Sequence, residues 1–253
     1  GLNAVHLTIP WDKVYISSSN MTPNWARFDE QVNLASSLGM KIAFRIHLGR
    51  HNTRIKGFWE DSDKQVAANG SLMSGGYGDT MFGFDNQTIT DRANAFVREV
   101  VNRYKHLQTE KKLLFISVTC SLTQEGEYSG SVIRDGKESQ TAYDYSPSMR
   151  KGFQEWLKLK YMKIERLNFL WGTSYKSFDL VSMPSNQWEP LQTFKQRFGK
   201  DLYIYRHEAL KKFINQSIST IKSVDPSIRY VSEYGSVFDG HWVIKILTRN
   251  QMV

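Results

Sequence analysis

Two glutamates close together behind an apolar strand are the first groups in this sequence able to move a proton. Glu125 and Glu127 stand in Gln124-Glu125-Gly126-Glu127-Tyr128, directly after Leu113–Cys120. In that run Leu114, Ile116, Val118 and Cys120 alternate with Ser117, Thr119 and Ser121, the pattern of a buried strand with one polar-lined face. The C-terminal ends of strands in parallel α/β folds carry the chemistry. Glu125 is therefore the first candidate catalytic residue, as a general acid, with Gln124, Glu127 and Tyr128 as neighbours able to bind substrate. The competing reading makes both glutamates solvated loop charges.

A second set lies on another strand. In Met40–Leu48 the residues Ile42, Phe44, Ile46 and Leu48 share one face, and Ala43, Arg45 and His47 the other. A cation and an imidazole on an inner face must be paired or wetted. Arg45 and His47 are thus site candidates, with a buried structural ion pair as the alternative, and His51 on the following loop is a weaker one. Trp11, beside the Pro10 turn that closes the first strand, joins the substrate-binding candidates, and Glu233 falls near the end of the strand Ile228–Tyr234.

The elements that must position these groups alternate. Asn3–Ile9 is the first strand. A helix marked by Trp25, Phe28, Val32, Ala35 and Leu38 follows Pro23 and stops at Gly39. Gly49–Gln87 loses periodicity and gathers Gly70, Gly75, Gly76, Gly78 and Gly83 with Trp59, Tyr77, Phe82 and Phe84, and it reads as an aromatic rim over the site. Its glycines form neither a dinucleotide fingerprint nor a P-loop. Thr88 opens a helix through Ala93, Phe96, Val97, Val100 and Tyr104 that leads into the Leu113 strand. A polar connection follows Gly130. Ser146-Pro147 then caps a helix through Met149, Phe153, Trp156, Leu157 and Tyr161. Ile164, Leu167, Leu170 and Trp171 mark another that stops at Gly172. An irregular stretch with Pro184, Trp188 and Pro190 precedes a long helix from Asp201 to about Val224.

Strands separated by helices, with polar groups at several strand ends, predict a parallel α/β fold. A partial (β/α)8 barrel with long strand-helix insertions fits better than a doubly wound sheet. The 253 residues read as a single domain, 1–253, incomplete at both ends: the chain opens on a strand and His241–Val253 matches no finished element.

Composition narrows the partners. No apolar run approaches the roughly 18 to 20 residues that span a bilayer, and no signal-peptide pattern opens the chain, so a soluble protein without membrane association is expected, its compartment left open. A lone cysteine, Cys120, on an apolar strand face reads as core filling and provides no zinc cluster. The net charge of +8 is spread over helices and loops without an arginine-rich run, which ranks nucleic-acid binding last. No cofactor is called for, and the oligomeric state stays open.

A family resemblance rests on Trp156-Leu157-Lys158-Leu159-Lys160-Tyr161, then Leu167-Asn168 and Trp171-Gly172-Thr173. This segment resembles the one after the fourth barrel strand in family 42 glycoside hydrolases, β-galactosidases of the retaining barrel clan. The order of the Arg45 strand, the carboxylate behind the central strand and the long helix before Ile228 agrees with that family. The resemblance implies a glycoside or oligosaccharide substrate and a retaining mechanism. It puts the acid/base after strand four and the nucleophilic glutamate after strand seven, beyond Val253. The family's Asn-Glu pair is Gln124-Glu125 here, with Glu127-Tyr128 as a rival alignment. On that count Glu233, on strand five, lines the site. Without the second carboxylate the fragment itself is expected to be inactive, and a non-catalytic carbohydrate-binding barrel is the alternative function.

Overall fold

The computed structural model describes residues 2–15, 23–49, 60–73, 81–121, 126, 131–134, 137–140, 144–183 and 196–233. Three strands form a parallel sheet in sequence order: β1 (Ala4–Pro10), β2 (Lys41–His47) and β3 (Leu113–Thr119). A fourth strand position follows on the far side of β3. There the Ile116 amide donates to the Arg229 carbonyl at 2.9 Å, and the Val231 amide to the Ile116 carbonyl at 3.1 Å. Among the described residues, where Ile228–Tyr234 was expected as a strand, a single parallel bridge forms, Ile116 to Tyr230.

Register fixes which side chains share a face. Thr8, Arg45 and Ser117 stand in one row across β1, β2 and β3, and Pro10, His47 and Thr119 in the next row toward the C-terminal ends. The opposite face carries Ile9, Ile42, Phe44, Ile46, Ile116 and Val118, all buried. It packs against helices: Phe44 stacks on Tyr104 of α3 (Gln87–Tyr104) with ring centroids 4.9 Å apart. Helix α2 (Ala26–Ser37) adds Phe28, Val32 and Ala35 to the same core. One face of the sheet is thus apolar and helix-covered, and the other carries Thr8, Arg45, His47, Ser117 and Thr119.

Two short helices complete the first half, α1 (Trp11–Val14) after β1 and α4 (His106–Thr109) before β3. Gly39 takes the left-handed conformation, φ +70°, that ends α2 and turns the chain into β2. Helix α3 starts one residue earlier than Thr88, capped by the Asn86 side chain.

The connection after Gly130 departs from the expectation of a plain polar loop. Strands β4 (Ser131–Arg134) and β5 (Lys137–Gln140) pair as an antiparallel hairpin. Helix α5 (Pro147–Tyr161) opens as expected: the Met149 amide donates to the Ser146 hydroxyl, with Pro147 in the first turn. Helix α6 (Ile164–Trp171) stops at Gly172, φ +68°.

The long helix α7 (Arg197–Val224) begins a turn before Asp201, which is not its N-terminal residue but a buried anchor. Asp201 accepts from Lys160 Nζ at 2.7 Å, Trp171 Nε1 at 2.9 Å and the Tyr161 hydroxyl. Asn168 fixes the turn after α6, accepting from the Thr173 hydroxyl and the Tyr175 amide, both at 2.9 Å. The Trp156–Thr173 segment that carries the family resemblance therefore does structural work, clamping α5 and α6 onto α7.

Candidate active site

The C-terminal ends of β2 and β3 converge. The Leu48 amide donates to the Thr119 carbonyl at 2.8 Å. A Cβ placed on Gly49 would lie 2.4 to 2.5 Å from backbone atoms of Cys120 and Ser121, so only glycine fits between the strand ends. Cys120 is buried in the core. His47 is buried in the same region, its Nδ1 3.0 Å from the Thr119 hydroxyl.

One row deeper lies a charged cluster contributed by four strand positions. Arg45 Nε donates to Glu233 Oε2 at 2.7 Å, and its Nη2 reaches the same oxygen. The Ser117 hydroxyl donates to Glu233 Oε1, and His6 Nε2 lies 3.4 Å from that atom. Burial alone would raise the Glu233 carboxyl. The hydrogen bonds from Arg45 and Ser117, with the Arg45 charge, outweigh it and hold the group below the ordinary carboxylate range. His6 is shifted down, first by its own burial, with Glu233 opposing and Arg45 adding to the shift.

Glu233 has a second connection through its main chain. Its carbonyl accepts from the Gly126 amide at 2.7 Å, and a Cβ on Gly126 would sit 3.2 Å from that oxygen. Gly126 is the residue between Glu125 and Glu127 in sequence. The structure so brings together Arg45, Glu233 and the peptide flanked by the two candidate acids. Gln124, Glu125, Glu127 and Tyr128 themselves lie outside the described residues, as do His51, Trp59, Tyr77, Trp188 and 241–253.

Two expectations about aromatics are corrected. Phe82 and Phe84 are not an open rim: both are buried, 5.7 Å apart and packed on Phe213 of α7 at 5.3 and 5.4 Å. Trp11 joins them, with no exposed surface and its ring 5.7 Å from Phe82. Within residues 60–73 and 81–86 the described parts of this connection are tied to each other. The Gly83 amide donates to the Asp63 carbonyl at 2.9 Å, and the Gln65 amide to the Met81 carbonyl at 2.8 Å.

Sequence reasoning missed one buried titratable group. Asp144, fully buried, accepts from the Val66 amide at 2.9 Å, the Ser146 amide at 2.8 Å and the Ser146 hydroxyl at 2.9 Å. Burial pushes its carboxyl up to about 6, with those hydrogen bonds and Arg206 pulling the other way. The signal was present as Asp144-Tyr145-Ser146-Pro147, an acid two residues before a capping serine. Among the described residues no group of three or more histidine, cysteine, aspartate or glutamate side chains could hold a metal ion, and no helix is long and apolar enough to cross a membrane.

The strand order, the polar inner face and the carboxylate-bearing segment behind β3 can now be set against known proteins. Residues 124–239 match the family 42 glycoside hydrolase model, described as β-galactosidase. That match begins at Gln124, immediately before Glu125, and runs past Glu233. The β-galactosidase of the psychrophilic Marinomonas ef1 superposes with a TM-score of 0.67 at 16% identity, over 95% of this chain and 35% of its own. The E323A catalytic mutant of Gan42B, the family 42 β-galactosidase of G. stearothermophilus, does so with 0.68 at 15%, over 92% and 32%. The catalytic domain of a β-amylase from Paenibacillus polymyxa gives 0.74 at 12%, over 92% and 59%. These neighbours are barrel glycosidases, and the fold of this chain is part of a (β/α)8 barrel. The chain spans about a third of the length of these two β-galactosidases. No curated protein sequence matches it.

Proposed function

We propose that this chain is part of the catalytic barrel of a retaining glycoside hydrolase acting on β-galactosides or related O-glycosides, with Glu125 as general acid/base. The observation that carries the reading is the family 42 match opening at Gln124, five residues in sequence after the end of β3 in a barrel glycosidase fold. A retaining reaction needs two carboxylates about 5 to 5.5 Å apart. The first protonates the leaving oxygen and later activates water, and the second attacks the anomeric carbon. Glu125 fills the first role, with Glu127 as its rival, and the nucleophile is assigned beyond Val253. Gln124 contributes an amide able to hydrogen-bond a sugar hydroxyl beside the glycosidic oxygen.

Arg45 and Glu233 neutralise each other within the barrel interior, so the interior at this level is a fixed ion pair and not a free charge. His47, one row nearer the strand ends, is the described candidate that remains for sugar contact. Hydrolysis of aryl β-galactosides by the full-length protein, compared with Glu125→Gln, tests the reading. Turnover that Glu125→Gln depresses supports it. A full-length protein that binds galactosides but never cleaves them would show a carbohydrate-binding barrel instead.

A further inference from the structure

We infer that Glu233 is a positioning residue for the general acid/base, holding its backbone in place rather than binding sugar. The inference rests on the glycosidase reading above and goes beyond it by giving Glu233 a different task from lining the site.

Glu233 is held at both ends. Its carboxylate is fixed by Arg45 on β2 and Ser117 on β3, so its side chain spans two strands of the sheet. Arg45 approaches through two nitrogens of one rigid planar fork, which restricts rotation as a lysine would not. Its carbonyl, through the 2.7 Å bond from the Gly126 amide, fixes the position of Gly126 against the fourth strand position. Gly126 separates Glu125 from Glu127, so whichever of them acts is tied one peptide bond away. The 3.2 Å clearance for a Cβ at Gly126 shows how closely the two backbones approach. A displacement of about 1 Å in a catalytic group costs on the order of 100-fold in rate, so a stay of this kind has a kinetic signature. A sugar-binding role would instead need carboxylate oxygens open to a ligand, and both accept from protein donors here.

The test uses the full-length enzyme and the Glu233→Ala variant, which keeps the carbonyl but removes the side-chain anchor. A misplaced general acid matters only where the leaving group needs a proton. On phenyl galactoside kcat/KM should fall about 10- to 100-fold, and on the dinitrophenyl analogue it should stay within about threefold. Equal losses on both substrates would overturn the proposal, since a nucleophile or a sugar ligand acts on every leaving group. A second readout needs no turnover. Exchange of the Gly126 amide should accelerate at least about tenfold in Glu233→Ala and stay unchanged in Asp29→Asn, which loosens a distant surface pair with Arg103. An unaltered Gly126 amide in Glu233→Ala overturns the anchor. A responsive amide in a protein that cleaves no glycoside refutes the glycosidase reading and leaves the anchor standing.

Discussion

Arg45 and Glu233, 188 residues apart, meet on the polar face of the sheet with Nε to Oε2 at 2.7 Å, and this pair joins β2 to the fourth strand position. Both side chains are mostly screened from solvent, 26% and 17% exposed, so removing Arg45 takes the strongest donor from a largely buried carboxylate and leaves it to Ser117 and His6. Arg45→Met should cost about 2 to 3 kcal/mol in urea unfolding near neutral pH. The Glu233 carboxyl is lowered from an ordinary value of 4.5, so the pair's contribution is present above that value and lost as pH falls through the lower folded one. The difference between wild type and Arg45→Met should accordingly shrink in strong acid. A difference that stays constant down to the acid limb would show that the pair is not what holds the carboxylate down.

Trp11 tests the corrected view of the aromatics. A side chain buried against Phe82 supports the fold, so Trp11→Ala should lower stability by about 3 to 5 kcal/mol. Thermal unfolding measures this directly. A variant as stable as wild type with only a raised KM would put Trp11 back among sugar contacts.

The elements with a clear period were legible in advance. β1, β2 and β3 fall within a residue or two of the expected runs, because each has one apolar face against helices. The Ser146 cap and the Gly39 and Gly172 stops follow from local backbone chemistry and needed no tertiary information. Phe82 and Phe84 lie in the core and not on a rim, a placement not legible in advance because an irregular segment has no period to say which way its side chains point. The β4–β5 hairpin had its own signal in Asp135-Gly136, a pair favoured between two hairpin strands. The facing of Arg45 was readable from alternation, but its partner was not: nothing local links it to a glutamate at the far end of the chain.

Asp201 should be the most sensitive polar residue of the helical layer. Asp201→Ala leaves Trp171 Nε1, the Tyr161 hydroxyl and Lys160 without their shared acceptor, at a cost of about 3 kcal/mol. Tyr161→Phe removes one donor and should cost about 1 kcal/mol. Chemical denaturation of both variants checks the ranking, and equal losses would contradict it.

Asp144 predicts a pH dependence of opposite sign to Glu233. Its folded value of about 6 lies above the ordinary 3.8, so its contribution to stability is complete below 3.8 and is lost as pH rises through about 6. The slope in that window is at most about 1.4 kcal/mol per pH unit, one proton's worth. Asp144→Asn keeps an acceptor for the Val66 and Ser146 amides and removes the titration. Unfolding free energies between pH 4 and about 7 should therefore be flatter in Asp144→Asn than in wild type. Parallel curves would assign the slope to another group.

The central claim is that a carboxylate behind β3 protonates a glycosidic oxygen, and kcat/KM of full-length Glu125→Gln on phenyl β-galactoside tests it most directly. The account predicts a fall of about 10² to 10⁴ relative to wild type, shrinking sharply on the dinitrophenyl substrate. Unchanged kcat/KM in Glu125→Gln, with the loss appearing only in Glu127→Gln, would contradict the assignment.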